Sequence, residues 1–198
     1  ILNMFELIHF IELKIFFFIN NTLSNVIFDK IFIFFHDGFK NQILIFFIIL
    51  VLLALFFFDK KNRLYFLLCI PIGILLTDQI GRQIKNLELR DRPYMTINEE
   101  DIKLLVKAKK DLAGDYVETS SSKKSFPSNH SANIFFLCYI FSIKYKRYNK
   151  YILFIAFLVA ISRIYVGVHY PLDVIFGSIL GVSIGFLLNK VLIKIKFN

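Results

Sequence analysis

The sequence predicts an all-α protein, a polytopic membrane helix bundle with five clear spans and an N-terminal interfacial or sixth helix. Three observations lead there. The 198 residues are 57% hydrophobic, with 25 Phe and no Trp. That is more apolar surface than a domain of this size can hide from water, so lipid is the natural solvent for the excess. The apolar residues fall into separate runs divided by polar turns, and the turns carry much of a net charge of +9. The length suits one domain, residues 1–198. A basic, greasy chain fits membrane lipids and a phosphorylated lipid substrate as partners, not nucleic acid.

Residues 1–40 form an N-terminal segment of mixed character. Glu6, His9 and Glu12 recur at three-residue spacing among Phe, Ile and Leu, a polar stripe suited to a helix lying in the interface. Asn20 to Asn25 read as a turn, and Val26 to Phe35 as a short apolar run. The segment is either an interfacial helix with a re-entrant piece or a sixth span. It shows no cleavable signal, and the start at Ile1 suggests that a few residues precede it.

The first clear span is Ile43 to Phe58. The others run from Leu64 to Thr77, Ala132 to Ile143, Tyr151 to Ile161 and Val174 to Leu188. Several are too short to cross a bilayer unless their helices continue into the polar residues at their ends, facing protein or a wet cavity. Residues 83–125 are an extramembrane loop, with a short helix expected around Asp101 to Leu112. Gly177, Gly181 and Gly185 form a four-residue stripe for close helix packing. Cys69 and Cys138, both inside apolar runs, read as small core residues.

Three short regions hold most of the Lys and Arg: Lys60, Lys61 and Arg63; Lys144, Lys146, Arg147 and Lys150; and Lys190, Lys194 and Lys196. With five alternating spans they share one face, cytoplasmic by the positive-inside rule. The long loop then lies on the periplasmic or extracellular face.

Three polar clusters sit at span ends: Lys85, Arg92 and Pro93; Pro127, Ser128, Asn129 and His130; and Ser162, Arg163, His169 and Asp173. Span counting puts all three on the non-cytoplasmic face. Lys85, Arg92 and Arg163 can cradle a phosphate, whose charge is about −1.5 to −2. Ser128 and Asn129 stand at a helix start, where backbone N–H groups favour an anion. Asp173, in the first turn after Pro171, can accept from one nitrogen of His169 and leave the other free to attack. His130, protonated, can donate to the leaving oxygen. The set suits phosphoryl transfer with no metal and no cofactor.

These clusters resemble the signature of the type 2 phosphatidic acid phosphatase superfamily: Lys, six residues, Arg-Pro; Pro-Ser-Gly-His; and Ser-Arg, five residues, His, three residues, Asp. Lys85, Arg92, Pro93, Pro127, Ser128, His130, Ser162, Arg163, His169 and Asp173 match in order and spacing. The resemblance covers roughly residues 41 to 190. It implies His169 as nucleophile, Asp173 as its partner and His130 as general acid. Lys85, Arg92, Ser128, Arg163 and the backbone N–H of Asn129 would bind phosphate. Asn129 replaces the usual Gly, a residue type that also tolerates a left-handed backbone.

The resemblance implies a lipid phosphatase of the bacterial cytoplasmic membrane acting through a phosphohistidine. Undecaprenyl diphosphate is the first substrate. Lipid A 1-phosphate, phosphatidylglycerol phosphate and phosphatidic acid are rivals, and a lipid phosphotransferase would use the same intermediate. A different class, an anionic-lipid binder or transporter, would only hold the anion. The soluble vanadium haloperoxidases share the constellation but not this composition. Outside the clusters the expectations are plain. His9 and His36 are packed or capped, Arg82 snorkels, Asp78 pairs with Arg82, Arg90 pairs with Asp91, and Lys103, Lys107, Lys109 and Lys110 form a solvated basic face.

Overall fold

The computed structural model describes residues 3–37, 50, 53, 56–98, 100–106 and 124–196. Among these, every regular element is helical. Helix α1, Met4–Phe17, starts at a capping box in which Asn3 Oδ1 accepts from Glu6 N and Asn3 N donates to Glu6 Oε2, each at 2.9 Å. A π-helical turn, Phe18–Thr22, follows. Asn25 Oδ1 then caps α2, Val26–His36, by accepting from Ile27 N and Phe28 N. The two segments meet at 113°.

Helix α3 is Arg63–Lys85, and α4 is the single turn Pro93–Thr96. Helix α5, Asn129–Lys144, is capped by Ser128. A 3₁₀ turn at Lys146–Tyr148 leads into α6, Asn149–Tyr165, and α7 is Pro171–Lys196. Proline at the head of α4 and α7 suits the first turn, where no N–H partner is needed.

The α5–α7 interface is the most extensive in the bundle. The glycine stripe makes it possible. A Cβ on Gly177 would stand 2.4 Å from Ser128 O, one on Gly181 2.0 Å from Ala132 O, and one on Gly185 2.8 Å from the Tyr139 ring. The α7 backbone therefore lies directly on α5. Helix α3 packs on both, with Phe136 seated against Gly73. Cys69 and Cys138 are free and buried, as core residues should be. Faces turned away from the bundle carry exposed Leu75, Phe154, Ile179 and Leu187, as lipid-facing surface does.

The N-terminal pair packs on α6 and α7. Asn20, fully buried, donates to the backbone oxygens of Lys103 (2.9 Å) and Tyr165 (2.7 Å) and accepts from Lys103 N (2.9 Å). Asp29 accepts from Tyr165 Oη at 2.7 Å. The hydroxyl thus ties α2 to the end of α6.

Among the described residues, three helices are long and apolar enough to cross a membrane, and a fourth crossing exists if the bent N-terminal pair counts as one span. This is an integral membrane protein. Of the Ile43 to Phe58 span, Leu50, Leu53 and Phe56 to Phe58 are helical, and the remaining positions lie outside the described residues. Helix α5, at 16 residues, is roughly 24 Å long at 1.5 Å per residue, short of a full crossing.

Several expectations are corrected. Asp101 to Val106 is not helical, and 107–112 lie outside the described residues; the loop's helix is α4. Lys103 does not join a solvated face, because its Nζ lies 2.7 Å from Asp29 Oδ2 and contacts Ser24 Oγ; Lys107, Lys109 and Lys110 lie outside the described residues. Glu12 is not part of an interfacial stripe. It is 4% exposed and faces the bundle, because Arg90 meets it there. Asp78 faces α5, not Arg82, accepting from Asn133 Nδ2 at 3.0 Å and Asn129 Nδ2 at 3.4 Å.

Replacing Gly181 with Ala places a methyl group against the Ala132 carbonyl, so it should destabilise the bundle by about 1–3 kcal/mol. A thermal unfolding midpoint in detergent, unchanged from wild type, would contradict this packing.

Candidate active site

The three polar clusters meet at one end of the bundle. His169 sits in the short connection between α6 and α7, 3% exposed. Its loop is folded back by Arg163, whose carbonyl oxygen accepts from Val168 N and His169 N, both at 3.2 Å. Gly167 makes the reversal with φ +85°, a backbone region that a side chain would strain.

Asp173 is fully buried. Its Oδ2 lies 3.5 Å from His169 Nδ1 and accepts from Tyr170 N at 2.8 Å. Ser125 Oγ also contacts Asp173 Oδ2, and lies 3.3 Å from His169 Nδ1. Nδ1 therefore faces an acceptor pair, which favours the proton on Nδ1 and leaves Nε2 without one. Burial, then the charges of Arg92, Lys85, Arg163 and His36, hold the His169 pKa well below its usual range. Both effects favour the uncharged form of the ring.

The cations surround it. Lys85, at the end of α3, donates to Lys124 O (2.9 Å) and Ser125 O (3.1 Å). Arg92 donates to Val168 O at 3.2 Å. Arg163 is 2% exposed. Its Nη1 lies 2.8 Å from His36 Nδ1, its Nη2 donates to His36 O at 3.0 Å, and its Nε has no hydrogen-bond partner. His130, one residue into α5, is exposed and within electrostatic reach of Arg163, His169, His36 and Arg92.

Lys85, Arg92, His130, Arg163, His169 and Asp173 are thus brought together. Ser128 and Asn129 join them through the backbone, since Ser128 N donates to Asp173 O at 2.9 Å. The Ser128 hydroxyl is occupied as the helix cap, 3.0 Å from Ser131 Oγ. Asn129 is helical with negative φ, so no left-handed backbone is needed there. Its amide turns toward α3, where its Oδ1 abuts Gly81.

Three more residues touch this cluster and were not expected in it. His36 is not merely packed, because it accepts from a buried guanidinium. Ser125 bridges ring and carboxylate, a role hidden in a serine-rich run. Arg90 does not pair with Asp91, which instead meets Lys124 at 2.6 Å. Arg90 spans Glu12 and Asp173, with Nη2 2.5 Å from Glu12 Oε2 and Nη1 3.6 Å from Asp173 Oδ1. Burial opposes its charge, but Glu12 and then Asp173 more than offset that and raise its pKa.

The defining pattern of the PAP2 superfamily matches residues 63–196. The chain belongs to the PAP2 superfamily. PAP2 phosphatases are hydrolases of phosphate esters. Bacitracin transport permease protein BcrC of Bacillus licheniformis is 31% identical over 122 residues, covering 62% of this chain and 53% of that protein. The chain thus spans about half the length of that curated relative. Among solved structures, LpxE of Aquifex aeolicus matches with a TM-score of 0.68 and 27% identity over 90% of this chain and 94% of that one. A PAP2-type phosphatidylglycerolphosphate phosphatase from Bacillus subtilis shares the fold, with a TM-score of 0.63 and 24% identity over 96% of this chain and 88% of that one.

Because burial and the nearby cations lower the native His169 pKa while an unfolded histidine binds a proton below about pH 6.5, stability should fall as pH drops below that value. The slope from this one group is at most about 1.4 kcal/mol per pH unit. His169→Gln should therefore lose less of its unfolding midpoint between pH 7 and pH 5 than wild type, measured by thermal denaturation in detergent. An equal loss in both would show that the ring is already protonated in the native state.

Proposed function

We propose that this chain is a metal-independent lipid phosphatase of a bacterial cytoplasmic membrane, working through a phosphohistidine on the periplasmic or extracellular face. The observation that supports the reading is His169, with Nδ1 held against Asp173, at the same end of the bundle as a buried Arg163 Nε–H that has no hydrogen-bond partner among the described residues. An unpaired buried donor is rare in folded proteins, and an anion would satisfy it.

The step balances as follows. His169 Nε2 attacks phosphorus, the bond from phosphorus to the leaving oxygen breaks, and His130 gives that oxygen its proton. Lys85, Arg92 and Arg163 meet the charge on the equatorial oxygens. Asp173 stabilises the charge that develops on the His169 ring. Water then attacks the phosphohistidine, His130 takes a proton from it, and the P–N bond breaks to release phosphate and restore the imidazole.

The first substrate is a polyprenyl diphosphate, with undecaprenyl diphosphate the leading case. Charge supports it. Arg90 Nη1 lies 3.6 Å from Asp173 Oδ1, and the cations Lys85, Arg92 and Arg163 stand around the His169 ring. A monoester brings about −1.5 to −2, and a diphosphate brings roughly one charge more, which matches the cradle better. The side of the membrane rests on the Lys and Arg of the opposite turns.

The test is phosphate release from a panel of lipid phosphates and diphosphates in detergent, with excess chelator present. Turnover should be highest on the polyprenyl diphosphate, be inhibited by vanadate, and fall on the order of 10⁴-fold or more in His169→Ala. Retained turnover in that variant would refute the mechanism. Strict need for a divalent metal would refute the metal-free reading, and transfer to an added lipid alcohol without hydrolysis would replace phosphatase by phosphotransferase.

A further inference from the structure

We propose that Glu12 and Arg90 are positioning residues for this reaction, holding Asp173 charged and aimed at His169, so that the N-terminal helix is a working part of the site. The inference rests on the reading of Asp173 as partner of the His169 nucleophile. Neither residue stands at a signature position, and Glu12 lies outside the family match, which begins at residue 63.

Asp173 Oδ1 is buried without a hydrogen-bond partner among the described residues, and its ion pair is with Arg90 Nη1 at 3.6 Å. Arg90 is itself fixed on two sides. Glu12 takes it in a two-point grip, Nη1 to Oε1 at 2.9 Å and Nη2 to Oε2 at 2.5 Å. The guanidinium carbon lies 3.6 Å from the centre of the Tyr170 ring. Glu12 Oε1 also accepts from Leu172 N at 2.9 Å, one residue before Asp173. The backbone of Arg90 contributes too, since its carbonyl oxygen accepts from Ser125 N at 2.8 Å. Ser125 is the hydroxyl that touches both His169 Nδ1 and Asp173 Oδ2.

The charge matters as much as the shape. A buried carboxylate with no compensating cation costs heavily and tends to take up a proton. Glu12 alone cannot compensate Asp173; it holds the cation that does. A two-point guanidinium grip orients better than an ammonium would. The arrangement leaves Oδ2, not Oδ1, to face the imidazole and its developing positive charge.

The experiment uses the full chain in detergent with a lipid phosphate as substrate. Arg90→Gln and Glu12→Gln should lower kcat roughly 10- to 100-fold, the scale of a small misplacement of a reacting group. KM and inhibition by inorganic phosphate should stay within about twofold, because neither residue belongs to the phosphate cradle. Arg90→Lys should recover part of kcat. The exchange of Glu12→Arg with Arg90→Glu restores an ion pair but puts a carboxylate beside Asp173, so it should remain as low as Arg90→Gln. A wild-type kcat in the exchange variant would show a purely structural pair and overturn the proposal. So would wild-type kcat in both Gln variants. If Arg90→Gln does not fold, Glu12→Gln and Arg90→Lys decide. His169→Ala and Asp173→Asn run alongside. If those two stay active, the reaction scheme itself falls; if they are inactive while the Glu12 and Arg90 variants match wild type, only this inference falls.

Discussion

A carboxylate with no solvent exposure, Asp173 in the first turn of α7, sets conditions that the rest of this end of the molecule meets. A buried charge must be both hydrogen-bonded and compensated. The hydrogen bonds come from next to it in sequence, Tyr170 N, and from the long loop, Ser125 Oγ. The compensation comes from Arg90, and Arg90 in turn requires Glu12. One buried group therefore recruits α7, the loop and α1. The His169 ring is oriented as a consequence, because its Nδ1 meets acceptors already fixed by other bonds.

The same residue explains why the start of α5 sits where it does. Ser128 N donates to Asp173 O, so the heads of α5 and α7 are joined by a backbone bond. Below it, Gly177 and Gly181 let the two helices approach until carbonyl oxygens lie where a Cβ would be. Small residues at the interface are the usual means of bringing helices together in lipid, where no water drives them. Here they also place His130, one residue into α5, at the same end as His169. The packing stripe and the chemical cluster are two consequences of one register between α5 and α7.

Much of this was legible in the sequence, for identifiable reasons. Lys85, Arg92, His130, Arg163, His169 and Asp173 stand at span ends, and alternation of spans alone predicts their convergence. The glycine stripe was legible because its four-residue period has few other causes. Arg90 and Glu12 were not, because 78 residues separate them and each has a nearer partner of opposite charge or an apparent surface role. Nothing local distinguishes Arg90 beside Asp91 from Arg90 reaching across to α1. His36 was missed for the same reason, being a lone ring until Arg163 is seen against it. Asn129 misled in the other direction. A Gly-to-Asn difference suggests a left-handed turn, yet the residue is helical and its amide points to α3, into space that Gly81 leaves open. Lys103 read as part of a basic face because lysines recur near it, whereas Asp29 and Ser24 claim it from the N-terminal segment.

The two ends of the bundle differ in how completely their polar groups are paired. At the far end, Tyr65 Oη donates to Asn189 Oδ1 at 2.8 Å, Tyr145 Oη donates to Asp59 Oδ2 at 2.5 Å, and the Lys144 ammonium lies 3.9 Å from the centre of the Tyr65 ring. Each of these polar groups has a protein partner, which closes that end and fixes it. At the near end the pairing is deliberately incomplete: Arg163 Nε and Asp173 Oδ1 are buried and unbonded among the described residues. Folding tolerates such atoms only where something else stabilises the arrangement. Asp173 Oδ1 has the field of Arg90 for that purpose. Arg163 Nε keeps a buried N–H with no hydrogen-bond partner among the described residues, and an anion with oxygen acceptors would satisfy it.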